Sequence, residues 1–175
     1  MAKPMKRDEI VRVALQLIAE HGFHGTSMAM VAERAQVGAG TIYRYFESKD
    51  VLIIELYKEA EAKMIEAITR KVTEHQSIRE RYLYLGASLM RYLIDHPVDF
   101  KYLEQFFNSP YGVKIRRDKL LGEQTDGNII IQLFKEGLSQ GVIKDLPLPV
   151  LFAISFGPMM DLVRDHILGF VILDD

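Results

Sequence analysis

The chain has 175 residues, 49% of them apolar, and a formal net charge of −2. That is enough apolar material for a proper core in one or two small domains, and too little positive charge for nucleic-acid binding that ignores sequence. With no cysteine, disulfides, thiolate metal sites and cysteine nucleophiles are excluded, and a reducing cytoplasm is the expected setting.

The first ten residues, MAKPMKRDEI, lack the apolar run of a signal peptide. Lys3, Lys6, Arg7 and Arg12 make this start basic, which reads either as a solvated tail or as an arm that touches phosphates. Residues 1–50 hold seven Lys/Arg against six Asp/Glu, so the sign suits DNA but the size decides nothing. Ile10, Val13, Ala14, Leu17 and Ile18 form one helical stripe, which Gly22 can stop in the left-handed conformation. His21 and His24 are too few for a metal site and read as helix-end and loop residues.

Residues 26–49, TSMAMVAERAQVGAGTIYRYFESK, organise the chain. In residues 27–35, Met28, Val31, Ala32 and Ala35 fall at i, i+3, i+4 and i+7, one face of a helix. In residues 39–46, Ile42 and Phe46 lie one turn apart, which leaves Gly40, Thr41, Tyr43 and Arg44 on the open side. Two short helices joined by a three- or four-residue turn make a helix-turn-helix, whose second helix is shaped for a DNA major groove.

Ser48 and Asp50 suit the start of a long helix. Its apolar positions Ile53, Leu56, Tyr57, Ala60, Met64, Ala67 and Ile68 carry it to about Thr73, across the limit of the DNA-reading unit. A second long helix over residues 78–94 carries Tyr82, Leu85, Leu89, Tyr92 and Leu93. Pro97 opens a shorter one with Phe100, Leu103, Phe106 and Phe107. Ser109-Pro110 punctuates again, and residues 114–119 read as a basic solvated surface. Residues 129–138 are a strongly apolar helix ending near Gly141. Residues 148–160 are almost wholly apolar, but Asp161, Arg164 and Asp165 cut the run short of a membrane span. A helix apolar all round is buried in a core or an interface, and Gly157-Pro158 predicts a kink or break in it. No segment alternates as a strand would. The expected fold is all-α, about nine helices: an N-terminal three-helix helix-turn-helix unit followed by a helical domain.

Gly25-Thr26-Ser27, Val31-Ala32, Val37, Gly40-Thr41-Ile42-Tyr43, Phe46 and Ser48-Lys49 resemble the signature of the TetR family of transcriptional regulators. The resemblance covers about residues 8–56 densely and the remainder in plan only. It implies a homodimer with two helix-turn-helix units, a C-terminal ligand-binding and dimerisation domain, and a small effector that lowers operator affinity. The domains would then be 1–50 and 51–175. Many members have Gly-Val-Ser in the turn, where this chain has Gln36-Val37-Gly38. Glycine is a poorer side-chain cap than serine, and Gln36 is strained if its φ is positive.

Arg44 is the strong candidate base reader, since its fork can bond guanine O6 and N7. Thr41 can bond a base edge or meet a thymine methyl. Thr26, Ser27, Tyr43 and Lys49 are placed for phosphates, and Ala39 and Gly40 are small enough to let the backbone come close. Tyr45 reads as a half-buried packing residue, and the resemblance adds a backbone contact. One unit is small for a long operator, so two units one helical turn apart would read a palindrome on double-stranded DNA. Phe134, Leu138, Ile154 and Phe156 are interface candidates that monomer core explains equally well. Tyr82, Phe106, Phe107, Tyr111, Met159 and Met160 can line an apolar cavity for a small apolar or amphipathic effector. No cofactor, metal or membrane partner is expected. An all-α enzyme would need a Glu-x-x-His pair, His-Glu-x-x-His, a P-loop or G-x-S-x-G, and none is present. A helical protein-interaction module using residues 39–46 is the alternative to operator binding.

Overall fold

The computed structural model describes residues 6–73, 76–121 and 128–173, so Lys3 of the basic start lies outside it. Among the described residues there are nine α-helices and no strand. They are α1 (Lys6–Gly25), α2 (Met28–Arg34), α3 (Ala39–Tyr45), α4 (Lys49–Thr69), α5 (Ile78–Asp95), α6 (Pro97–Phe107), α7 (Pro110–Leu121), α8 (Ile129–Ser139) and α9 (Leu148–Ile167). The chain divides into two compact units. One comprises Met1–Lys63 with Val98–Tyr111, the other Met64–Pro97 with Gly112–Asp175.

The first unit is built on the α1 stripe. Ile10, Val13, Ala14, Leu17 and Ile18 are all buried, together with Val31, Ala32, Ile42 and Phe46 from α2, α3 and the residue after α3. At about 1.5–3 kcal/mol for each large aliphatic or aromatic side chain, this burial stabilises two helices too short to stand alone. From α4, Leu52, Ile53, Leu56 and Tyr57 complete the interior, and α6 adds Phe100, Tyr102, Leu103 and Phe106. Tyr57 and Phe106 stack with centroids 4.2 Å apart. The Tyr102 hydroxyl donates to the Ile53 carbonyl at 2.5 Å, and burial pushes the Tyr102 and Tyr57 hydroxyls far above their ordinary range.

The two arginines of the basic start are paired within this unit. Arg7 pairs with Glu59 at 2.6 Å and lies over the Phe46 ring at 5.6 Å. Arg12 makes two hydrogen bonds to Glu9, at 2.6 and 3.0 Å, which hold that carboxylate below its usual range. Neither guanidinium is left as a free arm.

In the second unit, α5 packs on α8 and α9. A capping box starts α5: Ser77 Oγ accepts from Glu80 N at 3.2 Å, and Glu80 accepts from Ser77 N at 2.8 Å. Asn128 caps α8, and Arg81 donates to Glu136 at 2.6 Å to tie α5 to α8. After α8 the chain turns at Gly141 (φ +69°) and folds Ile143 back against Gly137.

Two expectations are corrected here. α4 ends at Thr69 rather than at about Thr73; the chain leaves it in a tight turn, with Val72 N donating to the Thr69 carbonyl at 3.0 Å. Of the kink or break expected at Gly157-Pro158, the break does not occur: α9 is one helix with Pro158 inside it. Proline removes one backbone bond, and a twenty-residue helix packed on two neighbours tolerates that loss. Within one chain α9 buries only Leu151 and Val163, so of the core and interface expected for it the core takes up only part.

Candidate nucleic-acid interface

The interface is built on the core of the first unit. Gly22, at φ +75°, interrupts α1 in a conformation that side chains resist. The chain then reaches Ser27, the N-cap of α2, whose Oγ accepts from Met30 N at 3.1 Å. Ser27 is exposed, but Thr26 is only 2% exposed and its hydroxyl has no hydrogen-bond partner. The side chain of Thr26 therefore cannot reach a phosphate as expected; it is a packing residue beside an exposed cap.

The turn between α2 and α3 carries the strain foreseen for it. Gln36 sits at φ +52°, a position that costs a non-glycine residue about 1–2 kcal/mol. Val37 N returns to Ala32 O at 2.9 Å and closes the end of α2. Gly38 caps α3 in extended conformation with no side-chain bond, as its lack of a hydroxyl dictates. A Cβ there would meet nothing closer than Thr41 Oγ1 at 3.9 Å, so a serine has room.

Ile42 and Phe46 are wholly buried and fix α3 to the unit. That anchoring turns Ala39, Gly40, Tyr43, Arg44 and Tyr45 to the surface, with Thr41 half-buried beside them. Tyr43 is 55% exposed, an unusual state for so large a ring. The Arg44 guanidinium lies 5.3 Å above the Tyr45 ring, and Tyr45 is more open than a packing residue would be. At Gly40 a Cβ would meet nothing within 4 Å, so its smallness serves whatever approaches from outside. Ser48 Oγ accepts from Val51 N at 3.2 Å and starts α4. Lys49 follows, with its ammonium bonded to the Phe23 carbonyl. Two of its three N–H groups remain for an anion.

The remaining candidates scatter. Phe106 is fully buried against Tyr57, Phe107 packs edge-on to the same ring, and the Tyr111 hydroxyl bonds Asp50 at 2.5 Å. All three belong to the first unit, whereas Tyr82, Met159 and Met160 belong to the second. Aromatic residues at helical spacing served the interior here, so the six do not line one cavity inside either unit. In the second unit Met159 packs where Gly86 has no side chain. Phe134 is only 2% exposed and holds an edge-on contact with Phe152 at 5.3 Å; as core, it has almost no surface to offer a partner. Leu138 and Phe156 are half-buried, and Ile154 is 61% exposed. Val150, exposed one turn before Ile154, was missed although its i, i+4 spacing marked it, and Leu162 is exposed farther along the same helix. Among the described residues no three His, Asp or Glu side chains group as metal ligands, and no helix is long and apolar enough to cross a membrane.

Comparison with known proteins covers both ends of the chain. A family model described as bacterial regulatory proteins, tetR family, matches residues 10–56. A second, described as tetracyclin repressor-like, C-terminal domain, matches residues 77–175. The fatty acid metabolism regulator protein of Bacillus subtilis is 27% identical over 144 residues, 82% of this chain and 73% of that one. A putative TetR-family regulator structure from Vibrio parahaemolyticus is 34% identical, with a TM-score of 0.74 over 98% of this chain and 91% of the other. The Bacillus subtilis regulator FadR in complex with stearoyl-CoA has the same fold, at a TM-score of 0.76 and 23% identity over 96% and 90% of the chains.

Proposed function

Because this chain belongs to the TetR family of transcriptional regulators, whose helix-turn-helix it carries, we propose that it represses transcription by binding a palindromic operator as a homodimer, until a small effector lowers its affinity. The carrying observation is α3: two buried anchors, Ile42 and Phe46, beneath an exposed row of Gly40, Tyr43, Arg44 and Tyr45. An anchored helix with such an outer face can lie in a major groove without reorganising the unit beneath it.

In this reading the DNA contacts lie in residues 1–50, and effector and partner are bound from within residues 51–175. Arg44 bonds a guanine, and Thr41 touches the neighbouring base edge or a thymine methyl. Ser27, Tyr43, Tyr45 and Lys49 bond phosphates and fix the register, while Ala39 and Gly40 allow close approach. The exposed α9 residues Val150, Ile154 and Leu162 pair with a second copy, which brings two α3 helices to one operator. The effector is an apolar or amphipathic small molecule held by the C-terminal region. A long-chain acyl thioester is the first to try, in view of the stearoyl-CoA held by the FadR structure.

Selection from a random duplex pool tests this reading. Enrichment of a palindrome with half-sites about one helical turn apart supports it. A pool with no enriched sequence overturns it and leaves α3 as a protein-docking surface.

A further inference from the structure

The DNA-reading unit is not made of α1–α4 alone. Residues 98–111 belong to the same compact unit, and their contacts converge on the two stretches that flank the helix-turn-helix. Gln105 Nε2 donates to the Ala19 carbonyl at 3.4 Å, just before the Gly22 interruption. The Phe23 ring stands edge-on to both Tyr102 and Tyr111, each centroid 6.0 Å away. The Phe23 carbonyl accepts from the Lys49 ammonium. The Tyr111 hydroxyl donates to Asp50 Oδ1 at 2.5 Å, next to Lys49 in sequence, and this bond holds the hydroxyl protonated above its ordinary range.

Tyr111 thus reaches Lys49 by two routes. Its ring packs on the residue whose carbonyl receives the ammonium, and its hydroxyl pins the carboxylate of the adjacent residue. We infer that Tyr111 is a positioning residue for operator binding, which fixes Lys49 where it meets a DNA phosphate. The inference rests on the reading of Lys49 as a phosphate contact. It predicts a loss that is blind to sequence, because a phosphate carries no base information.

Operator affinity of the full chain, measured over a range of salt, tests it in wild type, Lys49→Ala, Tyr111→Phe and the double variant. Lys49→Ala is expected to lower the slope of log K against log salt by about one. Tyr111→Phe is expected to weaken specific and random duplex alike, by about 3- to 10-fold, with a melting temperature lowered no further than the loss of one hydrogen bond allows. In the Lys49→Ala background it is expected to add nothing further. Asp50→Asn keeps an acceptor for the hydroxyl and should bind more tightly than Asp50→Ala, the charge being lost in both. Independent, multiplying losses from Tyr111→Phe and Lys49→Ala, or no loss from Tyr111→Phe, would overturn the positioning role alone. A wild type that selects no operator would sink the phosphate reading beneath it as well.

Discussion

The two compact units close their interiors to different degrees. In the first, the stripes of α1, α2 and α3 meet and are buried almost completely, and what stays exposed on α3 is small, polar or aromatic. In the second, α9 buries Leu151 and Val163 but leaves Val150, Ile154 and Leu162 open. One unit is finished within a single chain, and the other presents an apolar face that a finished monomer would not. In the proposed reading the contrast separates two tasks. A surface that reads DNA has to be rigid and polar before it meets its partner, whereas a surface that pairs with its own copy can stay apolar.

The strongest way to break this contrast is a charge on the open face. Burying the exposed parts of three such side chains on each of two protomers contributes roughly 5–9 kcal/mol, against an association cost of about 4–15 kcal/mol. So narrow a balance cannot absorb two buried carboxylates. Ile154→Asp is expected to give a monomer by sedimentation and to weaken operator binding by about 100-fold or more. A wild type that sediments as a monomer would remove the contrast altogether.

Next comes the close packing that ends α8. A Cβ on Gly137 would lie 2.4 Å from Ile143 Cδ1 and 2.7 Å from Cγ1, and a branched side chain has little room to yield. Gly137→Ala should destabilise the fold by about 1–3 kcal/mol in denaturant titration, with much of the loss recovered in a Gly137→Ala, Ile143→Ala double variant. On the DNA-reading side, Arg44→Ala should erase preference at a single operator position, about 1–3 kcal/mol of discrimination, and leave the other positions unchanged. A uniform loss across positions would move Arg44 from the bases to the phosphates.

The smallest expected effect concerns pH. Arg81 holds the Glu136 carboxylate below its ordinary range, chiefly through their hydrogen bond. A depressed folded value means that the bridge adds stability above the ordinary carboxylate range and loses it as pH falls through the folded value. Glu136→Gln should therefore melt below wild type at neutral pH, and the two melting curves should converge in acid.

The short helices were legible because their apolar residues keep one face: Val31, Ala32 and Ala35 in α2, Ile42 and Phe46 at α3. The strain at Gln36 was legible too, because the geometry of the turn demands a conformation that its side chain resists. Thr26 was not, since a threonine before a serine cap looks the same in sequence whether it faces solvent or core. Phe106 and Tyr111 were offered to a cavity because they are aromatic, and residue type alone does not tell what a side chain meets. Phe134 was offered to an interface for the same reason, and its contact with Phe152 makes it core.

What the sequence determined by itself is the set of helices, the helix-turn-helix and the residues that project from it. These depend on spacing within a turn or two, where backbone geometry is fixed. The tertiary structure decided which chain segments share an interior. It placed residues 98–111 with the DNA-reading helices, bonded Tyr111 to Asp50 and Lys49 to Phe23, and left the face of α9 open. Those pairings join residues far apart in the chain, and their energies come from burial and from hydrogen bonds made only once the helices have met.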